Sequence, residues 1–286
     1  MKVFAQLLVV INITIIVSCT KEVDVKLPEY KEYLVVEGKI ETGQKPQVYL
    51  SYTIPYFGSN NINNLSDFAV KGALVTVSDG STTDTLKEVL PSVGYYYQGF
   101  KIIGQIGREY FLTISVNGKT YTSQTKILNP IALDTLWNKH EKNDSLGYVW
   151  ARLSEPVGLG NAYRWFAKRV NKDNDFIAPL SSSFEDKFID GKTFDFAYDR
   201  GVIANSTATD DNNSEKGFFK NGDKIIVKFC HIGIKEYKFF RSRTASIVSN
   251  GNPFAAPSNV ESNVYGENVL GLWCGYSPSF DTLVFK

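Results

Sequence analysis

Alternation of apolar and polar positions with a period of two dominates the chain, and it is clearest at Tyr110-Phe111-Leu112-Thr113-Ile114-Ser115-Val116. Tyr110, Leu112, Ile114 and Val116 fall on one face and Thr113 and Ser115 on the other, the pattern of a half-buried strand. Asn117-Gly118 supplies the two positive-φ positions of a type I′ turn, so residues 119–123 return as the partner strand. Short β-branched and aromatic runs at 33–40, 48–52 and 73–78, parted by Gly, Asn, Pro and Asp clusters, read as further strands of a β-sandwich. Ile127-Leu128-Asn129-Pro130 marks a boundary, because Pro130 cannot continue a ladder. Beyond it the strand-like run 133–137 opens a second β-rich domain, with strands expected over 148–153, 162–170 and 224–232. Between them, residues 172–220 are rich in Asn, Asp, Ser and Gly with apolar islands at 184–189 and 194–198, a composition that predicts long loops. The period changes once, over 234–250. There Tyr237, Phe240, Thr244, Ile247 and Val248 recur at helical spacing, and Asn250-Gly251 with Pro253 beyond supplies a stop. The expected fold is therefore mainly β, with a first domain at 33–128 and a second, carrying long loops and one helix, at 129–286. No period of 20 to 50 residues repeats, which excludes solenoids and propellers.

The first residues follow another rule. Lys2 gives a positive start, residues 3–17 form an apolar stretch broken by Gln6, Asn12 and Thr14, and Ile16-Val17-Ser18-Cys19 closes it. The stretch is shorter than the ~20 residues a spanning helix needs. An ordinary secretory leader would carry an A-x-A-like cleavage site, which is missing here. The segment 1–18 is accordingly expected to be a lipoprotein leader, with acylation at Cys19 holding the mature chain to a membrane. Residues 19–32 are then a charged spacer containing Pro28, reaching at most ~45 Å at ~3.3 Å per residue.

Composition narrows the function classes. The 286-residue chain holds 31 Lys+Arg against 30 Asp+Glu. Loss of Lys2 with the leader leaves zero net charge, so nucleic-acid binding is disfavoured and anchoring falls to lipid rather than to charge. With 16 Tyr, 19 Phe and a single Met, the initiator, the composition suits pleated, half-buried strands. Setting Cys19 aside leaves Cys230 and Cys274, both in apolar runs: either a disulfide in an oxidising compartment or two buried thiols. A metal site finds too few partners.

Catalytic motifs fail on inspection. His140-Glu141-Lys142-Asn143-Asp144 has Asp144 where a zinc-protease helix needs its second His. Gly158-Leu159-Gly160-Asn161-Ala162-Tyr163 has Tyr163 where a dinucleotide fold needs its third Gly, so it reads as a turn. Gly275-Tyr276-Ser277-Pro278-Ser279 lacks the second Gly of a nucleophile elbow. The acid and amide cluster 210–215 lacks the Gly and spacing of a calcium loop. Trp137, Trp150, Trp165 and Trp273 sit in strand-like runs, where packing between sheets is the commoner fate than a sugar platform. No cofactor and no catalytic or metal residues are assigned. Tyr56 and Phe57, set between Pro55 and Gly58 before a polar stretch, and Phe254 beyond the helix lie outside any alternating pattern and are the candidate partner contacts.

Taken in order, Lys21-Glu22-Val23-Asp24-Val25, Leu34-Val35-Val36-Glu37-Gly38, Tyr110-Phe111-Leu112-Thr113-Ile114, Gly118-Lys119-Thr120-Tyr121, Asn252-Pro253-Phe254-Ala255-Ala256-Pro257, Ser262-Asn263-Val264-Tyr265-Gly266 and Leu270-Gly271-Leu272-Trp273-Cys274-Gly275-Tyr276 resemble a family of Bacteroidetes outer-membrane lipoproteins, the domain of unknown function 4249. The resemblance covers nearly all of the mature chain. It implies an immunoglobulin-like first domain and an outer-membrane address in the company of TonB-dependent transporters. It assigns no enzymatic residue, and Cys274 stands where the family would place an aromatic or small residue. The expected function is a non-enzymatic binding or accessory component near such a transporter. The alternatives are an envelope hydrolase working through a carboxylate pair, or a structural or adhesive envelope protein.

Overall fold

The computed structural model describes residues 30–54, 68–90, 96–143, 145–201, 215, 217–249 and 259–286. The leader, Cys19, Tyr56, Phe57, Phe254 and most of the 210–215 cluster lie outside the described residues. The fold is mainly β, as the alternation predicts.

Strands β1 (Leu34–Glu41), β2 (Gln47–Tyr52), β3 (Leu74–Ser78), β4 (Thr83–Thr85), β5 (Lys87–Val89), β6 (Tyr96–Gln98), β7 (Glu109–Val116) and β8 (Lys119–Lys126) come first. Asn117 and Gly118, at φ 50° and 73°, make the two-residue turn between β7 and β8, and Val116 pairs with Lys119. A five-stranded sheet, β16 (Val264–Tyr265)-β8-β7-β3-β4, faces β1, β2 and β6 across a core that includes Val36, Ile40, Val75, Tyr97, Tyr110, Leu112, Ile114 and Trp273. This is the first sandwich. β16 and Trp273 reach it from far along the chain.

The later strands are β9 (Thr135–Asn143), β10 (Leu146–Ser154), β11 (Ala162–Arg169), β12 (Ser183–Glu185), β13 (Thr193–Tyr198), β14 (Phe219–Lys220), β15 (Lys224–Ile232) and β17 (Val269–Val284). β9, β10, β13 and β14 form a second small sheet against β11 and β15, with Tyr163, Trp165, Phe219, Val227, Phe229 and Phe285 buried between. Ile127 lies in the first core and Leu133 in the second, so the chain changes cores across the Pro130 segment.

One strand belongs to both sandwiches. β17 runs parallel to β1 from Val269 to Tyr276 and antiparallel to β15 from Ser277 to Val284. It thereby joins an eight-stranded sheet, β12-β11-β15-β17-β1-β2-β6-β5, and residues 32–286 form one compact unit. Gly38 explains how β1 lies so close to β17: a Cβ there would stand 2.6 Å from Trp273 Cε3. Trp273 is pinned in turn, its Nε1–H donating to the Tyr110 carbonyl at 2.9 Å. Its backbone N–H and carbonyl bond the buried Asn263 side chain at 2.8 Å each.

Helix α1 (Ile234–Ser249) covers the opposite face of β11, β15 and β17. Tyr237 and Phe240 are buried against the strands while Ile247 and Val248 are exposed, so the apolar stripe read from sequence is only half used. The helix start is fixed by Glu236, whose Oε1 accepts from Thr125 Oγ1 at 2.6 Å; that hydroxyl in turn accepts from Gly275 N–H at 2.8 Å. Beneath α1, Cys230 and Cys274 share one apolar cluster as buried free thiols. They lie on paired strands, but Cys230 is opposite Pro278, four residues beyond Cys274. That offset of ~13 Å along a strand exceeds the ~7 Å a bridge tolerates.

Candidate functional site

Along β11 the side chains alternate sides. Tyr163, Trp165 and Ala167 enter the second core, and Ala162 and Phe166 enter the cluster under α1. Arg164 therefore emerges on the helix-covered side, a cation where its strand neighbours on that face are apolar. It borders a cavity of about 790 Å³ whose walls include Leu180, Phe239, Phe240, Ile247, Leu270 and Leu272. The walls are held by side chain to backbone bonds: Thr244 Oγ1 donates to the Leu180 carbonyl at 2.7 Å, and Ser242 Oγ accepts from Glu261 N–H at 2.8 Å.

The guanidinium sits over Phe240, with Cζ 3.4 Å from the ring centroid, and its Nε is sealed from solvent without a hydrogen-bond partner. Among the described residues it makes no ion pair. Burial pulls its pKa below the usual arginine range, Arg243 on α1 adds to the fall, and the neighbouring Tyr276 and Cys274 oppose it. Those two neighbours carry no counter-charge at neutral pH, because burial pushes both the phenol and the thiol well above their ordinary values. Glu37 and Asp199 also line the cavity, and one Asp199 oxygen is used by Gly201 N–H at 2.8 Å. Glu37 on the cavity wall offsets part of the burial cost but forms no ion pair with the guanidinium, so a desolvated cation with an unbonded donor still gains from an arriving anion. Concave, mostly apolar walls with a few convergent polar groups are what small-molecule sites present.

The residues singled out from sequence fall elsewhere or beneath this cavity. Cys230 and Cys274 belong to the cluster that floors it. Tyr56, Phe57 and Phe254, the expected partner contacts, and Cys19 are outside the described residues. His140 and Glu141 lie on strand β9 rather than a helix, with His140 Nε2 3.0 Å from Asn221 Oδ1. Trp165 and Trp273 are fully buried between sheets. Trp137 and Trp150 stack at 6.2 Å, with Arg152 and Lys139 already over their rings. The buried carboxylates elsewhere are engaged as well. Asp84 Oδ2 accepts three backbone N–H bonds from Phe100, Lys101 and Ile102. Asp173 pairs with Arg169 at 2.8 Å and Asp223 with Lys172 at 2.6 Å. Arg164 itself was missed by the sequence reading. Its signal was an arginine at an inward-alternating position of Ala162-Tyr163-Arg164-Trp165-Phe166, visible only once a helix is known to cover that face.

Cavity, helix and both sandwiches fall almost entirely within residues 20–279, the span that matches the profile described as domain of unknown function DUF4249. The chain belongs to the DUF4249 family. No curated protein matches it. Among solved structures, a DUF4785 family protein from Legionella pneumophila is similar over 69% of this chain and 52% of its own, at 8% identity and a TM-score of 0.21. The chain thus spans about half the length of that protein. Within the DUF4249 fold as seen here, the Arg164 cavity is the described feature whose chemistry calls for a ligand.

Proposed function

We propose that this DUF4249 chain is a lipid-anchored binding protein of the outer membrane whose Arg164 cavity takes a small amphipathic anion, a carboxylate or similar headgroup on an apolar body. The observation that carries the reading is the guanidinium stacked on Phe240 in an apolar cavity with its Nε unbonded. An incoming carboxylate would meet the planar donor fork that guanidinium provides, and the chain behind it would lie along Leu270, Leu272 and α1. Acylation at Cys19 would tether the protein to the membrane. A TonB-dependent transporter is its proposed neighbour, with Tyr56, Phe57 and Phe254 as the proposed contacts.

The test uses 8-anilinonaphthalene-1-sulfonate, itself an amphipathic anion, as fluorescent probe, with decanoate and decanol as competitors. Decanoate should displace the probe far better than decanol, and Arg164→Gln should remove that preference while leaving the fold intact by circular dichroism. Equal displacement by the two competitors in the unsubstituted protein, or an unchanged preference in Arg164→Gln, would remove the cavity from consideration.

A further inference from the structure

Two adjoining connections, between β10 and β11 and between β12 and β13, present large apolar side chains to water. Val157 is 89% exposed, Leu159 71% and Phe188 79%. Single exposed apolar residues are ordinary, but three on cross-tied loop tips form a patch that asks for a partner. The loops are held firmly. Glu155 N–H donates to the Lys192 carbonyl and Asp186 N–H to the Asn161 carbonyl, each at 3.0 Å. Gly158 N–H donates to Asp190 Oδ1 at 2.6 Å, and the Gly160 and Asn161 N–H groups share Asp186 Oδ2 at 2.7 Å. A side chain at Gly191 would meet Val157 Cγ2 at 3.0 Å, so the tips touch where a glycine leaves room.

Charge is sorted between inside and outside. Asp186 and Asp190 accept loop N–H groups, and Glu155 accepts from Asn161 Nδ2 at 2.9 Å and from the Tyr163 hydroxyl. Lysines are left facing out: Lys187 Nζ lies 5.5 Å from the Phe188 ring centroid, and Lys192 Nζ donates to the Phe188 carbonyl at 3.1 Å. Exposed aliphatic and phenyl groups with a lysine rim suit the headgroup boundary of a bilayer, where apolar tips enter the acyl region and ammonium groups meet phosphates. A protein interface would instead favour Trp, Tyr and Arg and deplete Lys.

We propose that the double loop carrying Val157, Leu159 and Phe188 dips into the surface of an anionic phospholipid bilayer, as a second contact beside the acyl anchor expected at Cys19. The near-zero net charge gives no long-range attraction, so the lysines act only once the tether has brought the bilayer close. This contact is independent of the cavity and of what the cavity binds.

The experiment places an environment-sensitive nitrobenzoxadiazole label on Leu159→Cys in the full chain, reconstituted into vesicles of phosphatidylcholine and phosphatidylglycerol containing doxyl-labelled lipid. Buried Cys230 and Cys274 stay unlabelled in the folded protein, and Ser81→Cys serves as an exposed control. The label at 159 should shift to the blue and be quenched by the doxyl lipid, while the label at 81 is not. Lys187→Glu with Lys192→Glu should abolish the difference in anionic vesicles, with an unchanged unfolding midpoint showing that the fold is intact. Water-like emission at 159, equal quenching at 159 and 81, or a shift only when outer-membrane proteins are added would each overturn the proposal, the last by assigning the tip to a protein partner.

Discussion

Replacing Arg164 by Met is expected to stabilise the protein while destroying its anion preference. Met keeps an unbranched stem against Phe240 and removes the charge. The loss is the stack on Phe240, with Cζ 3.4 Å from the centroid, worth up to ~2 kcal/mol when desolvated. Two gains oppose it. The buried Nε has no acceptor, and an unmet donor costs ~1–3 kcal/mol. The charge also stands without an ion pair, a desolvation penalty that Glu37 on the cavity wall offsets only in part. The two gains overlap, and the attraction to Glu37 is lost with the charge, so the net gain is of order ~1–2 kcal/mol, which for a unit of this size raises the melting temperature by roughly 2–8 °C. Urea and thermal unfolding followed by circular dichroism measure this directly, with and without decanoate. Decanoate should raise the midpoint of the unsubstituted protein by mass action and leave the Met variant unmoved. A Met variant destabilised by more than ~1 kcal/mol would show that Arg164 is a structural clasp, and the trade of stability for binding would be refuted.

Gly38→Ala should cost ~1–3 kcal/mol as overpacking, because the new methyl meets a tryptophan held by three hydrogen bonds; an unchanged urea midpoint would mean that Trp273 yields. His231 is neutral in the fold, its pKa lowered by burial against the opposing Asn129 carbonyl, Glu155 and Asp186, with Tyr163 stacked on the ring. The unfolded imidazole takes its proton first, so this contribution is present above 6.5 and is lost as pH falls through that value toward the lower folded pKa. Stability between pH 7 and 5 should accordingly fall less steeply in His231→Gln, and parallel profiles would refute the assignment. Cys230, its thiol pushed up to about 12 by burial, and Cys274 should resist iodoacetamide at pH 8 and react only in denaturant, as read by mass spectrometry; rapid native labelling would contradict their burial.

What was legible in the sequence is what is local. The β7–β8 hairpin could be read from seven alternating residues and an Asn-Gly pair, because a two-residue turn fixes register without help from elsewhere. Helix α1 could be placed by its period. Joining β17 to both sandwiches could not be foreseen, since Leu270 to Cys274 advertises an apolar strand but names no partner, and nothing local marks the change of partner from β1 to β15 between Tyr276 and Ser277. The cavity was hidden for a related reason. Arg164 gains meaning only from Phe240, 76 positions on (240 − 164 = 76), lying 3.4 Å over it. Leu159 was readable as part of a turn, but nothing nearby in sequence told that Val157 and Phe188 would be exposed beside it.

The parallel pairing of β1 with β17 sets a clock on biosynthesis. Leu34 waits for Val269, 235 residues later (269 − 34 = 235), which takes roughly 10–50 s at 5–20 residues per second. Throughout that interval β1 lacks its neighbour on one edge and Trp273 is absent from the first core, so neither sandwich can close. Under the export proposed above, a chain threading a channel unfolded would profit from such a delay: its architecture withholds the native state until the segment that locks it has been made. Mutations that let the first half collapse alone would then, under that proposal, harm export before they harmed stability.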